Sequence, residues 1–580
     1  MSEPSLPSHA SVQESRLYEF LAGLPLFSGL PEATLVALAS SAERIALPGG
    51  VALFDQDDLS DAFYVLRWGR LRAWRRDAEG KHRALGQIAP GECVGEVGLI
   101  LERARNATAV ALRDSELLRW SKASFEHLVG QHPGAMLRLA REALKRFAET
   151  IDRPAQARCF AVLATTPGVD AEAFAGKLAD ALRPLGQVRV VLPDEARTRG
   201  PGWFTRLEQQ SGGLVYVGDD DPIWRERCVR QSDAVVLLAD ASQAPSGVLS
   251  PPPALSEHTP RHLVLLQPGI PDAGSTRPWI AALPAVTMHH HVRRDDDIAR
   301  VARLLSGRAT GLVLSGGGAR GFAHIGALHA LREAGIEVDY IAGCSAGAIV
   351  GAGIASDWDD AHLVAALRAA FVEDNPLSDR TLPLVAMHSG QKVTQVLKRT
   401  YGEGDIEDLP LPFFCVSTDL AEGVLHVHER GPLWIALRAT SAIPGVVPPV
   451  FHERRVLVDG GIMDNLPVAE MRHRLAGEII AVDVGGNYRI DTELEETALP
   501  PWWQQIALQW RDQRYPGIGR ILWRAGMVNS AATVARQRRQ SNLLLTPDLG
   551  EIDLLGWNQF ERAVQLGYEE TVRQLAASRR

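Results

Sequence analysis

Apolar and polar positions follow different rhythms along the chain. Residues 1–15 are polar with two prolines, Pro4 and Pro7, and read as a frayed end. From Leu17 to about Arg146, short alternating runs are bracketed by helical ones. Phe63–Trp74 alternates around Gly69, as a hairpin does, and Ala107–Leu112 and Glu116–Trp120 continue the strand pattern. Ser124–Phe147 then places Phe125, Leu128, Met136, Leu137, Leu139, Ala140, Leu144 and Phe147 at helical spacing.

From Ala157 the pattern changes to continuous apolar runs at 159–165, 188–193, 213–218, 233–240 and 262–268, with helical stretches such as Phe174–Leu185 between them. Buried strands alternating with helices predict a parallel α/β sheet. A proline-rich insertion interrupts it between Gln243 and Pro260. A second, larger α/β pattern starts at Gly311. Strands are predicted at 311–315, 338–343, 413–420, 424–429, 455–459 and 478–485, with helices over 319–334 and 346–354. The last 80 residues read as helical, and Trp503, Ile506, Ala507 and Trp510 form an i, i+3, i+4, i+7 stripe. That stripe suits packing on the catalytic domain, or a lid or membrane-facing helix.

Composition narrows the class. The chain has 580 residues, 46% hydrophobic and 23% charged, which excludes a wholly disordered protein and implies several domains. A net charge of −9 argues against nucleic acid as a partner. Cys93, Cys159, Cys228, Cys344 and Cys415 are widely spaced without a C-x-x-C pair, as expected of free thiols in a reducing, cytoplasmic setting. No signal peptide and no transmembrane span is predicted, so any membrane contact is expected to be peripheral.

The chemistry concentrates after Gly311. Gly343-Cys344-Ser345-Ala346-Gly347 is a G-x-S-x-G pattern between a predicted strand and a predicted helix, the setting of a nucleophile elbow. Ser315-Gly316-Gly317-Gly318-Ala319-Arg320-Gly321 also joins a strand to a helix. Its amides and the helix N-terminus suit an anion or a developing oxyanion; it lacks the G-K-[ST] of a phosphate loop. Asp459, followed by Gly460 and Gly461, ends an apolar strand. A carboxylate beside a serine can act as its base directly. The one histidine after Asp459, His473, lies on what reads as an exposed helix face, so a Ser-Asp-His triad is poorly supported.

Taken in order, GGGARG, GCSAG and DGG resemble the patatin-like phospholipase family over about 311–485. The resemblance implies metal-free hydrolysis of lipid acyl esters by a Ser345–Asp459 dyad. It implies an oxyanion hole from the amides of Gly316, Gly317 and Gly318. Arg320, Gly343, Gly347, Gly460 and Gly461 support the motifs. Cys344 and Ala346 depart from the usual neighbours of the serine, and neither position carries chemistry.

Gly91-Glu92-Cys93-Val94-Gly95-Glu96-Val97-Gly98-Leu99, with Arg105-Asn106-Ala107-Thr108 after it, resembles the phosphate-binding cassette of a cyclic nucleotide-binding domain, covering 18–148. The resemblance implies that Glu96 accepts from the ribose hydroxyl and Arg105 pairs with the cyclic phosphate of cAMP or cGMP, with Gly95 and Asn106 alongside. Asn106 stands where a smaller residue is usual, and Asp57 where glycine is common. A β-roll without ligand, serving as an interaction module, is the competing reading. The 157–308 unit resembles the degenerate nucleotide-binding α/β fold of bacterial relatives of neuropathy target esterase. Gly168 and Gly176 are too far apart for a phosphate loop and Leu178 offers no hydroxyl. In the run His289-His290-His291, only His289 and His291 share a strand face, and no further metal ligand lies near.

The expectation is therefore a multidomain α/β protein. An N-terminal β-roll with helices spans 18–148, a degenerate α/β unit 157–308 and a patatin-like domain 309–580, closing in a helical segment packed on the core. Its expected activity is lipid acyl-ester hydrolysis, with lysophospholipid preferred through the family resemblance, no catalytic cofactor, and a cyclic nucleotide as regulatory ligand. The rivals are a non-enzymatic cyclic nucleotide-responsive scaffold and an acyltransferase using the same dyad.

Overall fold

A computed structural model describes residues 12–76, 82–132, 134, 157–245, 259–283, 285–485, 530–550 and 552–578. The Trp503–Trp510 stripe, most of the insertion after Gln243 and nearly all of the predicted helix beyond Gln131 lie outside these residues. The chain packs into two units. The first takes the residues up to Asp240 with 259–263 and 285–288; the second takes 241–245, 264–283 and 289 onward.

In the first unit, two four-stranded sheets form a β-roll. One runs Glu43–Leu47, Ser115–Ser121, Ala62–Trp68, Cys93–Val94; the other Ala52–Phe54, Thr108–Ala111, Leu71–Arg76, His82–Ile88. The alternation of the Ala62–Trp68 strand explains its two faces. Phe63 and Val65 join Trp120, Phe125, Leu21 and Phe27 under the helices, while Tyr64 and Leu66 join Leu71, Ile88 and Val94 inside the roll. Gly69 makes the hairpin turn at φ 93°, where a Cβ would lie 2.2 Å from Ser115 Oγ.

The same unit holds the parallel strands Val188–Val191, Gly213–Gly218, Cys159–Ala164 and Ala234–Asp240, paired in that order. A buried ionic contact ties them to the roll. Arg113 Nη2 donates to Asp233 Oδ1 at 2.7 Å, and Asp233 Oδ2 accepts from the Arg158 and Cys159 N–H groups at 2.8 and 2.9 Å. Burial alone would push the Asp233 carboxyl up; Arg113 and the two backbone donors bring it below its ordinary value. Arg230 Nε to Asp114 at 2.7 Å and Gly69 N–H to Thr205 Oγ1 at 2.9 Å extend the contact.

The second unit is built on an eight-stranded sheet. Its order is Val450–His452, Arg455–Asp459, Phe413–Asp419, Tyr340–Cys344, Thr310–Leu314, Glu478–Val482, Leu543–Leu545, with Val424–His428 also on Phe413–Asp419. The pairs from Phe413–Asp419 through to Leu543–Leu545 are parallel, and Arg455–Asp459 returns antiparallel. Parallel neighbours bring the carboxyl ends of Thr310–Leu314 and Tyr340–Cys344 side by side, where α/β folds place their sites. The closing helix Phe560–Ser578 crosses Ala323–Glu333 at close range. A Cβ on Gly326 would sit 2.0 Å from Val564 O, and one on Gly567 2.1 Å from Ala323 O. Phe560 and Trp557 pack on Phe322 with ring centroids 4.5 and 5.8 Å away.

The histidine run forms the strand Met288–Val292. His289 and His291 share a face, their rings 5.5 Å apart, and each Nε2 lies 2.9 Å from Glu407 O. Burial holds His289 down at about 4 and His291 at about 3. Both are thus neutral donors to one carbonyl, which has two lone pairs to offer.

Candidate active site and nucleotide pocket

Ser345 sits between the strand Tyr340–Cys344 and the helix Ala346–Ala355, at φ 50° and ψ −123°. This conformation is costly for a residue with a side chain, and the packing around it enforces it. A Cβ on Gly347 would fall 2.3 Å from Leu314 O, and one on Gly343 2.5 Å from Ala348 N, so the elbow has room only for glycine on both sides. The Ser345 N–H donates to Thr440 Oγ1 at 2.9 Å, and Thr440 Oγ1 donates to Val416 O at 2.5 Å. Thr440 thereby locks the elbow to the neighbouring strand.

Asp459 ends the strand Arg455–Asp459, opposite Ser417. Its N–H donates to Ala442 O at 3.0 Å and its carbonyl accepts from Thr418 Oγ1 at 3.1 Å. The carboxylate is buried. Oδ2 accepts from Ser345 Oγ at 2.6 Å; Oδ1 accepts from Gly461 N–H at 2.8 Å and from the Cys344 thiol at 3.8 Å. Burial raises the Asp459 carboxyl to about 6, against the hydrogen bonds from Ser345, Gly461 and Cys344, which lower it. His473 is exposed on the helix Val468–Arg474, and no histidine hydrogen-bonds Ser345 or Asp459 among the described residues.

Gly316, Gly317 and Gly318 border one small cavity together with Ser345 and Asp459. The Gly316 N–H donates to Asn465 O at 3.3 Å, while Asn465 Nδ2 donates to Gly316 O at 3.1 Å. The N–H groups of Gly317 and Gly318 meet no acceptor among the described residues. Gly318 has φ +56°, and a Cβ there would lie 2.1 Å from Leu554 O. Arg320 Nε donates to Val484 O at 3.0 Å and braces the loop. His324 Nε2, 2.8 Å from Ser315 O, braces it from the helix. On the other side of Ser345 opens an apolar cleft walled by Phe322, Ile349, Phe371, Val393, Val446 and Trp557.

In the β-roll, Gly95, Glu96, Arg105 and Asn106 line one pocket with Phe54 and Val97. Arg105 is buried; Nη1 donates to Gly95 O and Nη2 to Ala62 O, each at 2.7 Å, and its guanidinium lies 4.3 Å from the Phe54 ring centroid. The Arg105 Nε–H has no acceptor among the described residues. Asp57 adopts φ 73° and its N–H donates to Arg105 O at 2.8 Å, a turn aspartate can make in place of glycine.

Three stretches of the chain match known families. Residues 44–132 match the cyclic nucleotide-binding domain, 156–303 the neuropathy target esterase family P-loop like domain, and 312–472 patatin-like phospholipase. An uncharacterized NTE family protein of Mycobacterium tuberculosis is 30% identical over 94% of both chains. The chain belongs to the neuropathy target esterase family. Lysophospholipase NTE1 of Saccharomyces cerevisiae is 27% identical over 92% of this chain and 41% of its own length. Neuropathy target esterase sws of Drosophila melanogaster is 30% identical over 79% of this chain and 37% of its own. With a patatin-like domain of this lineage, the chain is a lipid esterase. No helix among the described residues is long and apolar enough to cross a membrane.

In this NTE-family chain the strand Cys159–Ala164 leads to a helix whose N-terminus is already occupied. Asp170 accepts from Ala173 N–H at 2.8 Å, and Lys177 lies exposed in the helix's second turn. A capping carboxylate there repels a phosphate. Sequence reasoning missed Thr440, Asn465 and the contact of Cys344 with Asp459. The spacing of Asn465 six residues after Asp459 was a usable signal; Thr440, at a helix end, gives none.

The Asp459 environment sets a pH dependence. With Asp459 as the base proposed below, which must be unprotonated to accept the serine proton, kcat/KM for a neutral ester is expected to rise with pH through about 6 and level off above it. Cys344→Ala removes a donor that lowers the carboxyl and should move that limb to higher pH; a profile that stays in place would show that the thiol does not bear on Asp459.

Proposed function

We propose that the chain hydrolyses the single acyl ester of a lysophospholipid through a Ser345–Asp459 dyad. The observation that carries this reading is the 2.6 Å hydrogen bond from Ser345 Oγ to Asp459 Oδ2, with no histidine between them. Ser345 Oγ attacks the acyl carbonyl carbon and its proton passes to Asp459 Oδ2. The oxyanion lies against the Gly317 and Gly318 amides; Gly316, whose N–H faces Asn465, chiefly shapes the loop. Collapse expels the glycerol oxygen, which takes the proton from Asp459. Water then attacks the acyl-enzyme, Asp459 receives its proton, and the fatty acid leaves as Ser345 regains its hydrogen. The apolar cleft beyond Ser345 suits one acyl chain. The relatives named lysophospholipase support the substrate class.

The modules are assigned as in the sequence reading: a cyclic nucleotide-binding-like unit over 18–148, a degenerate α/β unit without a working phosphate loop over 157–308 and the patatin-like domain over 309–580. The β-roll pocket supports cAMP or cGMP as regulator, its phosphate meeting Arg105 and its ribose Glu96. Arg113–Asp233, with Arg230–Asp114 beside it, supports transmission from the roll into the parallel sheet, since these pairs join the two directly.

Ser345→Ala and Asp459→Asn are each expected to lower kcat on lysophosphatidylcholine by at least about 10³-fold, and His473→Ala to change it by less than about threefold. Equal losses in His473→Ala and Ser345→Ala would mean a triad, and transfer of the acyl group to an added alcohol in preference to water would mean an acyltransferase. Calorimetry on the full-length chain should show cyclic nucleotide binding that Arg105→Ala removes. No heat at millimolar nucleotide would leave the roll as an interaction module.

A further inference from the structure

Between Asp379 and Lys392 the chain leaves the wall of the acyl cleft and returns to it. Pro376 and Leu377 line the cleft before the excursion, and Val393 lines it after. The base is firmly tied. Arg380 and His388 form an antiparallel bridge, and Thr381 N–H donates to Met387 O at 3.0 Å. Met387 and His388 N–H donate to Gly445 O and Val446 O at 2.9 and 3.1 Å, on the segment that forms the opposite wall. Asp379 accepts from Ser389 Oγ at 2.6 Å and from Lys392 N–H at 3.1 Å.

The tip is the reverse of what a surface loop in water needs. Leu382 is 73% exposed, Leu384 84%, Val385 67% and Met387 47%. Residues 381–391, Thr-Leu-Pro-Leu-Val-Ala-Met-His-Ser-Gly-Gln, contain no acidic, lysine or arginine side chain. Surface loops are ordinarily polar, and so dense a run of exposed aliphatics marks a contact. One loop tip offers on the order of a few hundred Å² on its own side, below the roughly 800 Å² per partner of stable protein interfaces, which disfavours a second copy as occupant. A lipid surface has no such threshold, because each side chain transfers into acyl chains independently.

We propose that the 381–387 loop inserts into a lipid surface and seats the mouth of the acyl cleft on it. Resting on the lipid-esterase reading of Ser345, this gives the substrate a path in which the acyl chain moves from one apolar phase to another along the loop's base. A rigid base with an apolar tip transmits insertion to the cleft walls at Leu377 and Val446 without unfolding either.

Flotation of the full-length chain with phosphatidylcholine vesicles tests it. Wild type and Ser345→Ala are expected to float alike, so docking is scored without turnover. The Leu384→Asp/Val385→Asp double variant should lose at least about tenfold in vesicle affinity, while hydrolysis of a water-soluble short-chain ester stays within about twofold. All five native cysteines are buried, so a Leu384→Cys variant takes an environment-sensitive fluorophore selectively. Its emission should shift to the blue when vesicles are added. Unchanged flotation of the double variant, no emission shift, or a change in oligomeric state caused by the double substitution would each overturn the proposal. Loop-dependent flotation of a protein that cleaves no ester would sink the esterase reading and leave the docking intact.

Discussion

A serine hydroxyl and a carboxylate share one hydrogen bond in a buried pocket, and much of the second unit is arranged to hold them there. Asp459 is fixed at both backbone ends, by Ala442 O and Thr418 Oγ1, and Ser345 through its N–H by Thr440. The strand that leads to Ser345 and the strand that ends at Asp459 both pair with Phe413–Asp419 between them, so the sheet itself sets the spacing of serine and carboxylate. Removing water from the pair raises the Asp459 carboxyl to about 6, which makes it a better proton acceptor than an exposed aspartate yet leaves it ionised at neutral pH.

The motifs were legible in the sequence because the backbone leaves no room for alternatives. At Gly347 a Cβ would collide with Leu314 O, and at Gly318 with Leu554 O, and such positions leave their mark as glycines. The strands were legible from apolar runs, and the two-faced strand Ala62–Trp68 from its alternation. Non-local support was not. Thr440 is a threonine at a helix end like any other until the fold brings it to Ser345 N–H. The edge strand Leu543–Leu545 is short, and its parallel partner Ile480–Val482 is more than sixty residues away. The histidine run shows the same limit: its spacing put two rings on one face, but only the fold supplies Glu407 O as their common acceptor.

The β-roll and the esterase site spend charge differently. Arg105 is held by two backbone carbonyls, a ring face and a longer contact from Nη2 to Asp61 Oδ1 at 3.3 Å, so the guanidinium is buried in the pocket wall. Arg113 is instead matched closely to Asp233 and serves architecture. One arginine faces a pocket and the other joins two folds.

The most direct test of the account is a crystal structure of the full-length chain after reaction with a fluorophosphonate. The account predicts a phosphorus–oxygen bond to Ser345 Oγ, the phosphoryl oxygen within hydrogen-bond distance of the Gly317 and Gly318 N–H groups, and Asp459 still beside Ser345. An adduct on another residue, or a phosphoryl oxygen turned away from the glycine loop, would contradict it.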